Sequence, residues 1–415
     1  MSEKKTPAIR FKGFTNGWNR RKLGDIGETF NGLSGKSKVD FGHGKGQFVT
    51  YMNVFLNAIS DLNMLGQTEI DSKQNAVKYG DIFFTTSSET PDEVGMSSVW
   101  LGNKENIYLN SFCFGYRPIE QLNPYYMAFM LRSDTIREKI VYLAQGISRY
   151  NISKKGMMEI EVPIPSLTEQ EKIGEYLNNI DHIITIHQRK LTKLQLLKKS
   201  MLTKMFPKDG ARVPEIRFQG FHGDWEQHKI GSLTNVLSAS RVHKDEWTKD
   251  GVPFFRSSDV ISAFNGKENE KAFISFKLYE QLVKSSGKLE KNDILITGGG
   301  SIGIPYIVPD NTPLYSKDAD LIWIKCSNKF DSKFLYTYFT SEPFRDYLNC
   351  ISHTGTISHY TIEQVKETPI YLPSIMEQKK IGEFFKNLCF NICIYHSKLS
   401  KLQQIKQAML SKLFV

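Results

Sequence analysis

Two long stretches of the chain carry apolar residues at spacings that alternate between four and three positions. The first series is Ile173, Leu177, Ile180, Ile184, Leu191 and Leu194. The second series is Ile381, Phe385, Leu388, Ile392, Leu399 and Leu402. Such spacing places the residues on one narrow stripe of a helix, as in coiled coils. The sequence therefore predicts two long helices, each of which must bury its stripe against another helix.

The rest of the chain alternates short apolar runs with Gly, Asn, Ser and Pro. The runs at 48–51, 81–84 and 293–296 predict short strands. Helical patterns at 124–140 and 332–348 interrupt them. This mixture predicts an α+β fold with twisted, mixed sheets whose strands are mostly antiparallel.

The chain is an internal tandem repeat. Residues 7–24 (PAIRFKGFTNGWNRRKLG) match residues 214–231 (PEIRFQGFHGDWEQHKIG) at an offset of 207, and residues 165–175 match 373–383 at an offset of 208. We therefore predict two similar globular domains separated by two long helices that form an antiparallel coiled coil, with pseudo-twofold symmetry. The predicted boundaries are a first globular domain at 1–165, a first helix at 166–207, a second globular domain at 208–373 and a second helix at 374–415.

Polar residues mark the starts of the predicted helices. Ser166 and Ser374 each precede a glutamate by three positions, which is the spacing of a capping box. Asn123 and Asp331 occupy equivalent positions before the shorter helical patterns. Asn123 opens an Asn-Pro-Tyr-Tyr sequence that resembles a loop of amino-methyltransferases, but its counterpart is Asp-Ser-Lys-Phe. The property shared by Asn and Asp is helix capping, so we favour that role.

Composition and charge narrow the class of protein. The chain is 40% hydrophobic and 24% charged, which is ordinary for a globular protein, and no apolar run is long enough to span a bilayer. We expect a cytoplasmic protein without membrane contact. Cys389 and Cys393 lie four positions apart, but no further pair of thiols or imidazoles completes a metal site, so none is predicted. The formal net charge of +10, shared by both halves, favours a polyanionic partner.

Signatures of catalysis are missing from the sequence. The glycine-rich stretch at 298–303 follows a predicted strand but lacks the Gly-Lys-Ser/Thr ending of a nucleotide-binding loop. The equivalent stretch at 85–90 contains no glycine. These two loops follow equivalent strands but differ in sequence, so we expect them to contact different ligand groups and not to bind a shared cofactor. We also find no Ser-His-Asp or Cys-His arrangement, and we predict a non-catalytic protein.

Loops at strand ends are the candidate contacts with a rod-like polyanion such as duplex DNA. The loop candidates are Thr85, Thr86, Ser87, Ser88, Arg149, Tyr150, Thr297, Ser301, His359 and Tyr360. In this interpretation His359 and Tyr360 are the counterparts of Arg149 and Tyr150. The candidate phosphate contacts are Lys36, Lys38, Arg241 and Lys244. A helix over 169–205 would be roughly 55 Å long, which exceeds the roughly 34 Å of one DNA turn, so it could space two domains on one duplex.

The repeated order of a variable domain followed by Pro-Ser-x-x-x-Glu-Gln-x-Lys-Ile-Gly and a long helix is similar to the specificity subunits of Type I restriction–modification systems. The pattern Arg-Phe-x-Gly-Phe-x-x-x-Trp at 10–18 and 217–225 is also typical of that family. The resemblance covers essentially the whole chain. It implies that each globular domain is a target recognition domain reading one half of a bipartite double-stranded DNA site.

The same resemblance implies partners and cofactors. The paired helices would set the gap between half-sites and dock two DNA methyltransferase (modification) subunits, which methylate adenine with S-adenosylmethionine. Restriction subunits would supply ATP- and Mg-dependent translocation and cleavage, so no cofactor would belong to this chain. Two alternatives remain at this stage: an independent methyltransferase or nuclease, and a coiled-coil scaffold that binds nucleic acid or protein without sequence preference.

Overall fold

The chain folds into two compact units that share the long helices. The first unit comprises Met1–His187 and Lys398–Val415, and the second comprises Gln188–Ser397. The computed structural model describes residues 6–208, 210–317, 320–352 and 359–414.

Among its described residues, the first unit contains eleven short strands, six helices of which the sixth continues beyond it, and the end of the last helix of the chain. The strands are β1 (Asn19–Lys22), β2 (Gly27–Asn31), β3 (Phe41–Val49), β4 (Leu65–Thr68), β5 (Ile82–Thr85), β6 (Ser87–Ser88), β7 (Ser97–Val99), β8 (Ile107–Leu109), β9 (Cys113–Pro118), β10 (Tyr150–Asn151) and β11 (Glu161–Ile164). The helices are α1 (Leu23–Ile26), α2 (Tyr51–Leu56), α3 (Pro124–Met130), α4 (Asp134–Tyr142), α5 (Lys154–Met158) and α6 (Leu167–Lys204).

The second unit repeats this plan with additional helices. Its strands are β12 (Glu226–Lys229), β13 (Val236–Ser238), β14 (Trp247–Thr248), β15 (Val252–Phe255), β16 (Ala272–Ile274), β17 (Ile294–Thr297), β18 (Pro305–Ile307), β19 (Tyr315–Ser316), β20 (Leu321–Ile324) and β21 (Pro369–Leu372). Its helices are α7 (Ile230–Leu233), α8 (Ser257–Phe264), α9 (Phe276–Ser286), α10 (Ser332–Tyr338), α11 (Glu342–Ser352), α12 (Ile362–Glu367) and α13 (Ile375–Lys412).

Each unit is built on a four-stranded antiparallel sheet with a second, mixed sheet beside it. The order is β2-β9-β5-β7 in the first unit and β13-β20-β17-β18 in the second. The second sheets, β4-β3-β8 and β14-β16-β15-β19, each contain one parallel pair. The buried apolar runs of β5 and β17 form the centre of each core because all four residues of each strand are inaccessible to solvent. The predicted α+β fold with mixed sheets is confirmed.

The apolar stripes of the long helices are buried in an antiparallel arrangement within each unit. In the first unit, Ile173 and Leu177 near the start of α6 share a core with Leu413 just beyond α13. In the second, Phe206 just beyond α6 shares a core with Phe385 of α13. The stripe is buried at Ile173, Leu177, Ile180, Leu191, Ile381, Phe385 and Leu388, and half-buried at Ile184, Leu194, Ile392, Leu399 and Leu402.

Glu169, at the start of α6, was predicted to complete a capping box but forms different contacts in the structure. Glu169 N–H donates to Ser166 Oγ at 3.4 Å, as in a capping box. The Glu169 carboxylate does not return to Ser166, however. It accepts two hydrogen bonds from the Arg10 guanidinium, at 2.6 and 2.7 Å, and a third from Trp18 Nε1 at 3.1 Å. The capping-box interpretation is therefore wrong for the glutamate, which instead holds the N-terminal motif against the helix.

The same fastening recurs in the second unit. Arg217 donates two hydrogen bonds of 2.7 Å to the Glu377 carboxylate. The backbone before each arginine is also tied to the end of a long helix. Ile9 N–H donates to Lys412 O at 3.1 Å, and Ile216 N–H donates to Lys204 O at 2.9 Å. The motifs that carry the family resemblance are thus largely structural.

The glutamine and glycine of the repeated motif join each long helix to a shorter one. Gln170 Oε1 accepts from Asn123 N–H at 3.0 Å, and Gln378 Oε1 accepts from Asp331 N–H at 2.9 Å. A Cβ on Gly174 would lie 2.7 Å from Asn123 Oδ1, so only glycine permits this approach. The caps themselves are confirmed, since Asn123 and Asp331 each accept a backbone N–H at 2.9 Å.

Two predicted elements have different bounds in the structure. The pattern at 124–140 is two helices, α3 and α4, because the chain turns at Ser133, whose hydroxyl donates to Met130 O at 2.7 Å. The pattern at 332–348 divides in the same way at Ser341. The predicted strand at 48–51 ends early, because the Thr50 side chain caps helix α2.

Candidate nucleic-acid interface

A threonine closes the loop that follows the central strand of each unit. Thr85 N–H donates to Met96 O, and Met96 N–H donates to Thr85 Oγ1, both at 3.0 Å. Thr297 makes the same pair of bonds with Ile304, at 3.0 and 2.9 Å. Both threonines are fully buried and their hydroxyls are engaged within the protein. The prediction that Thr85 and Thr297 contact DNA directly is therefore wrong, and they fix the loops instead.

The two loops between these fixed points differ in length and support. The first covers residues 86–95 and includes a short 3₁₀ turn, whereas the second covers only 298–303. The Arg137 guanidinium holds the first loop by donating, at 2.7–2.9 Å, to the carbonyl oxygens of Asp92, Val94 and Gly95. Burial lowers the pKa of Arg137 to about 10. Sequence reasoning missed this residue, because nothing in its spacing distinguishes it from a surface arginine.

A third segment lies beside each loop, and its register corrects the sequence-based alignment. Ile152 N–H donates to Thr86 O at 3.0 Å, and Tyr360 N–H donates to Gly298 O at 2.8 Å. The counterpart of Tyr360 is therefore Ile152, at an offset of 208, and the predicted match with Tyr150 is wrong by two residues. The helix caps that follow, Ser153 of α5 and Thr361 of α12, keep the same offset.

The corrected offset changes which residues of the two units are counterparts. The true counterparts of Arg149 and Tyr150 are positions 357 and 358, which lie outside the described residues along with the rest of 353–358. The counterpart of His359 is Asn151, an exposed amide that sequence reasoning missed. The signal that could have identified Asn151 is the constant offset of the repeat, which the shared tyrosine obscured.

Two further candidates are buried. Tyr360 is 1% exposed and its hydroxyl hydrogen-bonds to Thr368 Oγ1 at 2.5 Å. Ser88 is 6% exposed and its hydroxyl donates to Thr90 O. The prediction of direct DNA contact is wrong for both residues. The loop candidates that keep exposed or half-buried side chains are Thr86, Ser87, Arg149, Tyr150, Ser301 and His359.

In the first unit, strand pairing brings the remaining candidates together. Strand β10 pairs with β6, so that Tyr150 lies opposite Ser88 and Asn151 opposite Ser87. Arg149 is exposed immediately before this pair. Gln145 exchanges two backbone hydrogen bonds with Asn151, at 2.8 and 2.9 Å, which adds a second exposed amide. Guanidinium and amide groups are the side chains that read guanine and adenine edges.

In the second unit, the glycine-rich loop approaches a charged pair. A Cβ on Gly299 would lie 2.9 Å from Asp320 Oδ1 and 3.9 Å from His359 Nδ1. Asp320 forms an ion pair with Lys317. Ser301 and His359 are exposed at this loop. The surface is therefore polar, but its side chains differ from those of the first unit.

The four predicted phosphate contacts fall into two groups. Lys38 and Lys244 begin equivalent 3₁₀ turns, and both are exposed, as is Arg241. Lys36 Nζ, by contrast, lies 2.9 Å from Asp71 Oδ2, and this hydrogen bond raises the pKa of Lys36. Because Lys36 is largely covered and already paired, its placement argues against a phosphate contact.

In the part of the chain that the structure describes, no group of three or more His, Cys, Asp or Glu side chains is arranged to hold a metal ion. No helix there has the length and apolar character needed to cross a membrane.

Comparison with known proteins gives the family. A sequence profile for the Type I restriction modification DNA specificity domain matches residues 15–196 and 222–407, one match in each half of the repeat. The chain belongs to this family. The predicted family resemblance is thereby confirmed over most of the chain.

Individual relatives agree with this assignment. The chain is 24% identical to a putative Type I restriction enzyme MjaX specificity subunit of Methanocaldococcus jannaschii, over 95% of this chain and 92% of that protein. It is 25% identical to the StySPI specificity subunit of Salmonella potsdam, over 80% and 74% of the two chains. The crystal structure of a Type I S subunit from M. genitalium superimposes with a TM-score of 0.61 at 17% identity and covers 99% of both chains, which shows a shared fold.

Proposed function

We propose that this specificity subunit reads a bipartite DNA target, with one half-site read by each unit. The observation that carries the proposal is the pair of loops closed by Thr85 and Thr297. Identical backbone anchors present loops of unlike length and sequence. Two different half-sites require loops that differ in side chains and geometry, because these features read the base sequence. The common anchors let both loops be held on the same scaffold.

The exposed side chains supply the chemistry of recognition. In the first unit, Arg149 can pair with guanine and Asn151 with adenine in the major groove. In the second, Ser301 and His359 offer hydroxyl and imidazole groups to base edges. The exposed cations Lys38, Arg241 and Lys244 can bind DNA phosphates. Such contacts position the protein on the duplex but do not read the base sequence.

The long helices are proposed to set the gap between half-sites. Helix α6 has 38 residues, and so does α13. At about 1.5 Å per residue, such a helix is roughly 57 Å long, which is longer than one turn of DNA. Packing of the buried apolar stripe stiffens each helix. The length of the helices would therefore determine the distance between the two half-sites.

The same helices carry apolar residues away from the stripe. The side chains of Ile186, Leu196 and Phe390 are 49%, 66% and 64% exposed. Exposed apolar groups on otherwise charged helices favour a protein partner. We propose that two DNA methyltransferase subunits dock here and that restriction subunits join them. S-adenosylmethionine, ATP and Mg would then be bound by those partners, while this chain contributes no catalytic group and no cofactor site.

Mapping of methylated adenines tests the proposal directly. Cells carrying this subunit with its modification partner are compared with cells carrying Arg149→Ala or His359→Ala. We expect Arg149→Ala to relax or change one half-site and His359→Ala the other, with the gap unchanged. Arg212→Ala, at an exposed arginine between the repeats, is the matched control and should leave the target intact. If either variant lost sequence preference in both half-sites, the proposal that each unit reads one half-site would be contradicted.

A second measurement separates specific reading from a non-specific scaffold. Fluorescence anisotropy of the subunit with duplex DNA should show affinity that falls steeply as salt rises, because phosphate contacts release counterions. A duplex carrying the mapped target should bind more tightly than a scrambled one at every salt concentration. Equal affinity for both duplexes would favour the scaffold.

A further inference from the structure

A basic cleft opens in the second unit at the end opposite the loop closed by Thr297. It has a volume of about 1080 Å³ and lies between α10, α13 and the turn before β17, where Asn292 lines it. Its lysines come from four separate segments of the chain. They are Lys198, Lys291, Lys333, Lys379 and Lys386.

The positive charge of this cleft is only partly neutralised. Lys333 Nζ lies 2.7 Å from Glu383 Oε2, and Lys386 lies 3.5 Å from the same carboxylate. Asp331 is the one carboxylate among the described lining residues, and it caps α10 by accepting a hydrogen bond from Phe334 N–H at Oδ1. The described residues place no carboxylate within 4 Å of the ammonium groups of Lys198, Lys291 or Lys379.

The floor of the cleft is apolar. Phe330 and Phe385 are only 4% and 3% exposed, and Ile307 and Val308 continue the surface. Lysine stems can lie along such a floor while their ammonium groups stay at the rim. An apolar floor with a cationic rim is complementary to a ligand that carries both apolar groups and negative charge.

The equivalent place in the first unit is not basic, since its lining carries two cations and two carboxylates. Equivalence is fixed by the matching bonds from Gln170 to Asn123 and from Gln378 to Asp331. The cleft there is about 320 Å³ and is lined by Arg117 paired with Asp81, at 2.7 Å. The four residues that correspond to Lys291, Lys333, Lys379 and Lys386 are Tyr79, Tyr125, Glu171 and Asn178. The duplication has therefore diverged here in charge while keeping its backbone contacts.

The position of the cleft argues against DNA as its occupant. Strand β17 begins beside Asn292 and ends at Thr297, so the candidate DNA loop and the cleft lie at opposite ends of the strand. A phosphate backbone would also gain nothing from the floor formed by Phe330 and Phe385. A flexible segment with apolar anchors would use both features of the cleft.

The geometry points to a docking site for an acidic peptide segment of a partner protein, with Leu- or Phe-like anchors on the floor and carboxylates at the lysine rim. One such segment binds per chain, because four of the five cleft lysines are replaced by Tyr, Tyr, Glu and Asn in the first unit. This inference is independent of DNA reading, since it uses none of the residues assigned to that role.

Cysteine alkylation provides a footprint on the unmodified chain. Cys326 and Cys389 line the cleft, whereas Cys350 is exposed elsewhere in the same unit. The probe is a short synthetic peptide in which Glu and Asp alternate with Leu and Phe, and mass spectrometry follows alkylation of each cysteine with and without the peptide. We expect the peptide to slow alkylation of Cys326 and Cys389 severalfold and to leave Cys350 unchanged. Equal slowing at all three cysteines, or slowing at none, would overturn the proposal.

A charge exchange tests the lysines themselves. Replacing Lys291, Lys333, Lys379 and Lys386 with their first-unit counterparts (K291Y, K333Y, K379E, K386N) should weaken binding of the fluorescein-labelled peptide about tenfold or more, since several rim charges are lost. The single exposed variant Lys379→Glu should show part of this effect and guards against misfolding of the quadruple variant. Lys249→Glu, at an exposed lysine outside the cleft, is the matched control.

The competing occupants give different outcomes. A peptide with Gln and Asn in place of the acids should bind at least about tenfold more weakly than the acidic peptide. Duplex DNA added at saturation should leave the peptide bound. Displacement of the peptide by DNA would assign the cleft to nucleic acid and overturn the proposal, while leaving the two-unit reading of DNA intact. Equal binding by the quadruple variant and the unmodified chain would also overturn it.

Discussion

Lys406 Nζ lies 2.6 Å from Asp181 Oδ1 and joins the last part of α13 to the first part of α6 within the first unit. The Lys406 ammonium also lies 5.6 Å from the centre of the Phe129 ring. At the equivalent positions of the second unit the residues are Lys198 and Cys389, which line one cleft. One copy of the repeat therefore keeps an ion pair between the helices that the other copy lacks.

Introducing a carboxylate at the second position should recreate this pair. Cys389→Asp places an acid opposite Lys198, and we expect it to raise the free energy of unfolding by about 0.5 kcal/mol, since half-exposed ion pairs contribute little more. Urea denaturation in low and high salt measures the change, and the gain should shrink in high salt. Cys393→Asp, one helical turn further on, is the control and should give no gain.

The tryptophans of the two N-terminal motifs should differ in their contribution to stability. Trp18 Nε1 donates to the buried Glu169 carboxylate, whereas Trp225 Nε1 is buried without a hydrogen-bond partner in the described structure. Trp18→Phe and Trp225→Phe lose similar apolar volume, but only the first removes a hydrogen bond to a charged group. We expect Trp18→Phe to cost about 1–2 kcal/mol more, measured by urea denaturation. Equal costs would mean that the Trp18 bond contributes nothing net.

Residues on and off the helix stripe should respond differently to truncation. Leu191 is 7% exposed and Leu196, on the same helix, is 66% exposed. Leu191→Ala should lower the free energy of unfolding by about 2–4 kcal/mol because it removes a buried side chain. Leu196→Ala should lie within about 0.5 kcal/mol of the unmodified chain. A large loss from Leu196→Ala in the isolated subunit would show that the stripe has been assigned to the wrong face.

Lengthening both long helices should change the gap between half-sites. Seven residues inserted after His187 and seven before Lys398 preserve the heptad register and add about 10 Å to each helix. At about 3.4 Å per base pair, the mapped gap should grow by roughly three base pairs while both half-site sequences stay the same. Methylated-adenine mapping measures this change. An unchanged gap with unchanged half-sites would reject the helices as the spacing element.

The sequence was sufficient for the features that repeat. The spacing of Ile173 and Leu177, and of their counterparts, identified the long helices, and the capping roles of Asn123 and Asp331 were recognised because the two halves could be compared. Periodicity and cap chemistry are local properties, so a single chain reveals them. The break at Ser133 escaped notice because both sides of it have helical patterns.

The details of the interface depended on long-range contacts that the sequence does not express. Tyr150 and Tyr360 share an identity but not a position, and the backbone hydrogen bonds of Ile152 and Tyr360 revealed the shift. The burial of Thr85 and the partner of Glu169, residues distant along the chain, likewise follow from how the strands and helices pack. Polar residues in loops resemble ligand contacts in sequence even when their hydroxyls are engaged inside the protein.

The closing threonines have an evolutionary consequence. Because Thr85 bonds to Met96 and Thr297 bonds to Ile304 across the base of each loop, the residues between these anchors can differ in number and identity while the sheet keeps its structure. Insertions, deletions and recombination between the two anchor points can create new binding preferences without placing the sheet below at risk. A family of DNA specificity domains would gain from such tolerance, since a new specificity needs no new fold.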